Sequence, residues 1–118
     1  MSDPASAVFP WFVARLEPAG RAVLSGELDI GGLDALRAVL DQALLDAGDI
    51  VAIDASDLSF IDSAAIRVLL RYELVAAARG KRLWLSSGNT AVVRVLDILD
   101  LNHILLSPTL EHQVTHHN

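Results

Sequence analysis

The sequence predicts a single-domain α/β protein built on a mixed, mostly parallel sheet with packed helices. Three observations lead there. The chain has 118 residues, the size of one domain, and its 53% apolar content fills one core but not two. Short β-branched runs alternate with segments whose leucines recur every three or four residues. Glycine, proline and Asn/Asp clusters separate them. Right-handed crossovers then place parallel strands in the middle of the sheet.

Phe9 to Leu16 alternates loosely and ends at Glu17-Pro18-Ala19-Gly20, a strand followed by a turn. Arg21 to Ser25 is a second strand, close enough in sequence to form a hairpin with the first. Gly26 to Gly32 reads as a glycine-rich loop. From Leu33, the residues Leu36, Leu40, Ala43, Leu44 and Ala47 fall at helical spacing, with Asp34, Arg37, Asp41 and Asp46 on the other face and Gly48 as the stop. Ile50 to Asp54 is short and nearly all apolar, as a central buried strand should be. Ala55 to Phe60 is expected to be a loop, leading to Ile61-Asp62-Ser63. The second helix sets Ile66, Leu69, Leu70, Leu74, Ala77 and Ala78 on one stripe, Arg67, Arg71 and Glu73 off it, and ends at Gly80. Arg82 to Ser86 is the next strand, with Trp84 facing away from Leu83 and Leu85. Asn89 or Thr90 caps a third helix carrying Val92, Val95, Leu96 and Leu99. Ile104 to Leu106 is expected as a last short strand and Pro108 to Val114 as a final helical turn or two. The folded domain is thus expected over 9–114, between flexible ends at 1–8 and 115–118.

Composition narrows the partners. A formal charge of −6, with Lys81 the single lysine, disfavours nucleic acid and anionic membranes, which call for clustered cations. No apolar run is long enough for a membrane span, and Met1-Ser2-Asp3-Pro4 lacks the basic start of a secretory signal. The absence of cysteine excludes disulfides and thiol chemistry and fits a cytoplasmic protein. Protein partners remain, ideally with basic surfaces. Trp11 and Phe12 offer a surface on which a homodimer can form.

In open α/β sheets, ligands and partners meet the loops at the carboxyl ends of the parallel strands. Asp62 is suited to cap the second helix, with Ser63 in its first turn near the positive end of the dipole. Spacing alone is met by a plain capping pair. A phosphoserine is the sharper reading, since a phosphate suits a helix N-terminus and adds about −1.5 to −2 charges without unfolding the domain.

Gly26-Glu27-Leu28-Asp29, followed by a strand and then by the run Asp54 to Ile66 with Phe60-Ile61-Asp62-Ser63 inside it, resembles the STAS domain family of bacterial anti-sigma-factor antagonists. The likeness extends from about Phe9 to the end of the third helix. It implies a protein that binds an anti-sigma factor and frees a sigma factor. The anti-sigma factor would be a serine-protein kinase of the histidine-kinase-like ATPase fold, phosphorylating Ser63, and a phosphatase would reset the cycle. ATP and magnesium belong to that kinase, so no cofactor is expected on this chain. The resemblance nominates Asp29, Glu27, Asp62, Ser63 and Ala64 as partner-binding. Two departures stand out: Ala64-Ala65 replaces the family's Ser/Thr-Gly, putting a methyl where a kinase approaches, and the final helix is short. An alternative within the family is a constitutive STAS subunit of a larger complex, such as a lipid-transport ATPase assembly.

Other chemistries fare worse. Ser63 lacks a Gly-x-Ser-x-Gly elbow, and no histidine precedes His103, so an enzyme is not expected. His112, His116 and His117 read as a solvated tail rather than metal ligands, and no metal site is expected. Gly31-Gly32 lacks the Lys-Ser or Lys-Thr of a phosphate loop. Asp54, at a strand end, and Asp57, in a turn, are expected to bond local backbone rather than act as an acid–base pair.

Overall fold

The computed structural model describes residues 11–115. Four strands form one sheet in the order β1 (Phe12–Glu17), β2 (Arg21–Leu28), β3 (Ile50–Ile61), β4 (Arg82–Gly88). β1 runs antiparallel to β2, and the two remaining pairings are parallel. The helices are α1 (Leu33–Asp46), α2 (Ser63–Ala78), α3 (Thr90–Ile98), α4 (Asn102–Leu105) and α5 (Pro108–Thr115). The predicted start of the first strand at Phe9 and the ends at 1–8 and 116–118 lie outside the described residues. Thr115, expected in the tail, closes α5.

The pleat sends alternate residues to opposite faces. Ala22, Leu24 and Leu28, Val51 and Ile53, and Leu83 and Leu85 are buried together with Leu36, Leu40, Leu69 and Leu96 of the helices. Val13, Val23, Ala52 and Trp84 fall between them and belong to the other face, outside that core. Helices therefore pack on one side of the sheet. Trp84 is half-buried, with the Arg82 guanidinium 5.3 Å from its ring centroid. Phe12 is buried in the core, so only Trp11 of that pair is exposed.

Several expectations change. The run Ala55 to Phe60, expected as a loop, continues β3 to Ile61, and Gly26 to Leu28 continues β2. Beyond the Ala55↔Gly88 pair, β3 keeps β2 as its neighbour, while Asn89 donates to the Ser56 and Leu58 carbonyls on the side β4 has left. A side-chain amide stands in for a strand there, which polar composition could not reveal. The register slips in both parallel pairings. Asp54 is accordingly inside β3 rather than at its end, and Asp57 pairs with Ser25 instead of occupying a turn.

Gly26 has φ 93° because the β1 backbone presses against it: a Cβ there would lie 1.9 Å from the Trp11 carbonyl oxygen. The glycine of the Gly-Glu-Leu-Asp run is thus dictated by the hairpin. Gly80, at φ 73°, ends α2 as expected. Gly48 does not end α1 in that way; the Ala47 N–H bonds the Ala43 carbonyl, and Lys81 Nζ donates to the Leu44 and Ala47 carbonyls at 2.7 Å. Expected as a strand, Ile104 to Leu106 is divided between α4 and a single parallel bridge from Leu106 to Leu85.

The buried stripe of α2 is Ala65, Ile66, Val68, Leu69 and Ala76, with Tyr72 partly buried beside it. Leu74, Ala77 and Ala78, expected on that stripe, are exposed, and Glu73, expected off it, is half-buried. The apolar arc of this alanine-rich helix is wider than the face the sheet covers.

Candidate functional site

The carboxyl ends of β2 and β3 lie side by side, since Leu28 pairs with Ile61 and the Asp62 N–H donates to the Leu28 carbonyl at 3.1 Å. The residues that follow, Asp29 and Asp62, are neighbours in space although 33 apart in sequence. The two loops therefore adjoin.

Each aspartate organises its own turn. An Asp62 carboxylate oxygen accepts the Ala65 N–H at 2.9 Å and its carbonyl accepts the Ile66 N–H, which starts α2. Asp29 caps the short 3-10 turn Ile30–Gly32, accepting the Gly31 N–H at 2.9 Å. Ser63 is the first residue of α2 and is exposed; among the described residues its hydroxyl makes no hydrogen bond. A hydroxyl at the positive end of a 16-residue helix, with no local partner, is open to any approaching group.

The structure thus brings Glu27, Asp29, Asp62, Ser63 and Ala64 to one end of the sheet, Glu27 exposed and Asp29, Asp62 and Ala64 half-buried. Ala65 bears on the departure from the family pattern. It is fully buried, and its methyl belongs to the core. The extra carbon therefore fills the interior and does not stand where a partner would approach, contrary to expectation.

Two residues at this end were missed. Ile30 is 75% exposed and Phe60 is 48% exposed, flanked by Glu27, Asp29 and Asp62. Large apolar side chains within otherwise polar turns were the available signal.

A second carboxylate centre lies on the open face of the sheet. Asp54 accepts from Arg21 at 2.7 Å, from Ser87 Oγ at 2.7 Å, from Ser56 Oγ at 2.6 Å and from the Ser56 N–H at 3.0 Å. Partial burial pushes its pKa up, but the bonds from Ser56, Ser87 and Arg21 outweigh that and hold it well below the usual carboxylate range. The expected bond to local backbone is present within a larger network. Across the helices, Tyr72 donates to Asp41 at 2.8 Å, and burial together with that carboxylate pushes its phenol up to about 12.

Among the described residues no group of three or more histidine, aspartate or glutamate side chains is arranged to hold a metal, and no helix is long and apolar enough to cross a membrane. His116 and His117 lie outside the described residues.

Solved structures share this architecture. The anti-sigma factor antagonist SpoIIAA in its unphosphorylated form matches with a TM-score of 0.63 at 20% identity, over 89% of this chain and 96% of that one. An anti-sigma factor antagonist from Mycobacterium paratuberculosis gives 0.59 at 21% identity, over 89% and 91%. The Bacillus cell fate determinant SpoIIAA in its phosphorylated form gives 0.57 at 21% identity, over 91% and 99%. At such identities the likeness is one of fold. No curated protein matches the chain in sequence. A family model described as "Mlab, STAS domain" matches residues 12–107. Reaching from the first strand past the bridge that follows α4, that match takes in the hairpin, both adjoining loops and the Asp62-Ser63 helix start: the chain belongs to the STAS domain family.

Proposed function

We propose that this protein is a cytoplasmic anti-sigma-factor antagonist that acts by binding, not catalysis. Its target is an anti-sigma factor of the serine-kinase type, which on capture releases a sigma factor. Glu27, Asp29, Asp62, Ser63 and Ala64 form the contact, with Ile30 and Phe60 as apolar anchors. The observation that carries the reading is the exposed Ser63 hydroxyl at the start of α2, beside the Asp29 loop and without a hydrogen-bond partner among the described residues. Relatives of the same fold are described in unphosphorylated and phosphorylated forms, which supports a switch of this kind.

In the switching step, Ser63 Oγ attacks the γ-phosphorus of ATP held with magnesium by the kinase. The hydroxyl proton passes to a base on the kinase and ADP leaves. The product carries about −1.5 to −2 charges at the helix mouth, next to Asp62 and Asp29. The helix terminus accommodates the phosphate, so the domain stays folded. The partner meets repulsion and a strongly hydrated group, and lets go. A phosphatase restores the hydroxyl.

Incubation with the cognate kinase and ATP should label the wild type at Ser63, read by mass spectrometry, and leave Ser63→Ala unlabelled but binding. Ser63→Asp should bind about tenfold or more weakly with an unchanged circular dichroism spectrum. Full affinity in Ser63→Asp would overturn the charge switch.

A second reading is a constitutive STAS subunit of a larger complex, such as a lipid-transport ATPase assembly. The description of the matching family model as Mlab favours it, as does Ala64 in place of a second hydroxyl. In that case the protein co-purifies from its source in a stable complex that Ser63→Asp leaves intact.

A further inference from the structure

A groove runs between α1 and α2, beginning at Ala64 beside the loop end of the sheet. Its first part encloses about 800 Å³ and includes Leu33, Arg37, Arg67, Arg71 and Leu74. It continues into a depression of about 520 Å³ that adds Asp41, Leu45 and Arg79. Four of the chain's nine cations therefore line one groove of a protein whose net charge is −6. Among the described residues, Arg67, Arg71 and Arg79 form no ion pair, and Arg37 reaches only Asp34, at 3.5 Å on the surface. The one carboxylate in the lining, Asp41, is already engaged by Tyr72.

The apolar part is equally unspent. Leu74 is 68% exposed and Leu45 is 71% exposed. Among the α2 residues of the lining, Ala64, Arg67, Arg71, Leu74 and Ala78 recur at intervals of three, four, three and four, with Val68, Leu70 and Val75 beside them. That is the period of a seam against which another helix lies lengthwise. Small residues at each end, a leucine between and arginines along the rim leave room for a backbone, a socket for apolar side chains and contacts for carboxylates. From Ala64 to Arg79 the seam is about 22 Å long, roughly four helical turns.

We infer that this groove is a docking site for an acidic amphipathic helix of a protein partner, its apolar stripe seated on Leu74 and Leu45 and its carboxylates paired with Arg67, Arg71 and Arg79. This goes beyond the Ser63 switch and does not require it. Helix-in-groove recognition draws affinity from apolar anchors and specificity from charge at the rim.

The probe is a fluorescein-labelled, lactam-bridged helical peptide of about 16 residues, with leucines on one stripe and glutamates flanking it. A second peptide carries lysine at every glutamate. Both are titrated against the full chain by fluorescence anisotropy. The glutamate peptide should bind about tenfold or more tightly than the lysine peptide. Arg67→Glu/Arg71→Glu should reverse that order while Arg94→Glu, on α3, leaves it unchanged, with circular dichroism confirming the fold of each variant. Amide shifts in an NMR titration should centre on Ala64, Leu74 and Ala78. Equal binding of the two peptides, or indifference to the double substitution, overturns the inference. So does self-association of the chain, or binding to phosphatidylglycerol vesicles, abolished by the same double substitution, since either assigns the groove to another occupant. Peptide binding alongside failed Ser63 labelling overturns the switch alone; the converse overturns the groove alone.

Discussion

Two acidic regions on one sheet are used in opposite ways. Around Asp54, both carboxylate oxygens are engaged, by Arg21 on one and by Ser56 and Ser87 on the other. Those partners come from β2, β3 and β4, so the network stitches three strands where their register slips. At the Asp62 end, one carboxylate oxygen takes the Ala65 N–H, and Ser63 takes no partner among the described residues. Saturated polar groups hold a fold together, whereas a polar group left open at the surface loses nothing in water and gains when a partner supplies the missing bond. The difference separates a structural carboxylate from polar groups left open at the surface without any appeal to residue type.

Substitutions can break or sharpen that contrast. The largest effect is expected from neither region: Leu69, 1% exposed on the buried stripe of α2, lies in an apolar core, and Leu69→Asp should cost about 4 kcal/mol or more and unfold the domain, read by urea denaturation. A folded, soluble Leu69→Asp protein would mean that the helix is turned differently. Next comes Asp54→Ala, which takes the acceptor from Ser56 and Ser87 and leaves Arg21 only its Glu17 ion pair, and should cost about 2 kcal/mol. If it costs nothing, the network is decoration and the contrast fails.

Acid sharpens the same point. The folded pKa of Asp54 lies below its ordinary value of 3.8, so the unfolded chain takes up the proton first as pH falls. Its stabilisation is complete above that value and disappears as pH drops toward the folded pKa. The stability difference between wild type and Asp54→Asn should therefore shrink between about pH 5 and pH 2, measured from urea midpoints across that range.

Smaller effects test the other end. Asp62→Ala removes a helix cap and should cost about 1 kcal/mol. Ser63→Ala and Arg67→Ala touch nothing that the fold uses and should stay within about 0.5 kcal/mol of wild type. A Ser63→Ala loss comparable with that of Asp62→Ala would make the serine structural and remove its claim to recognition.

The boundary between legible and illegible runs through single residues. Asp62 was readable as a cap because its chemistry acts three residues along the chain. Leu36, Leu40 and Leu44 were readable as core because helical period and burial coincide there. The strand through Phe60 was not readable, because Asn89, 29 positions away, supports a segment that local composition describes as loop. The Asp54 network was only partly readable: the Ser56 bond is local, whereas Arg21 and Ser87 arrive from neighbouring strands. The exposed side of α2 was misjudged at Leu74, since an apolar arc says which residues prefer burial but not how wide the covering surface is.

By itself the sequence determined the alternation of elements, the helix cap at Asp62 and a second cap at Asn89 or Thr90, because propensity, period and capping act over a few residues. Tertiary structure alone decided that Asp29 and Asp62 are neighbours, that the Ala65 methyl points into the core, and that four arginines share a groove. Those facts depend on which strands pair and how helices lie across them, and such contacts join residues too distant in sequence for any local pattern to encode.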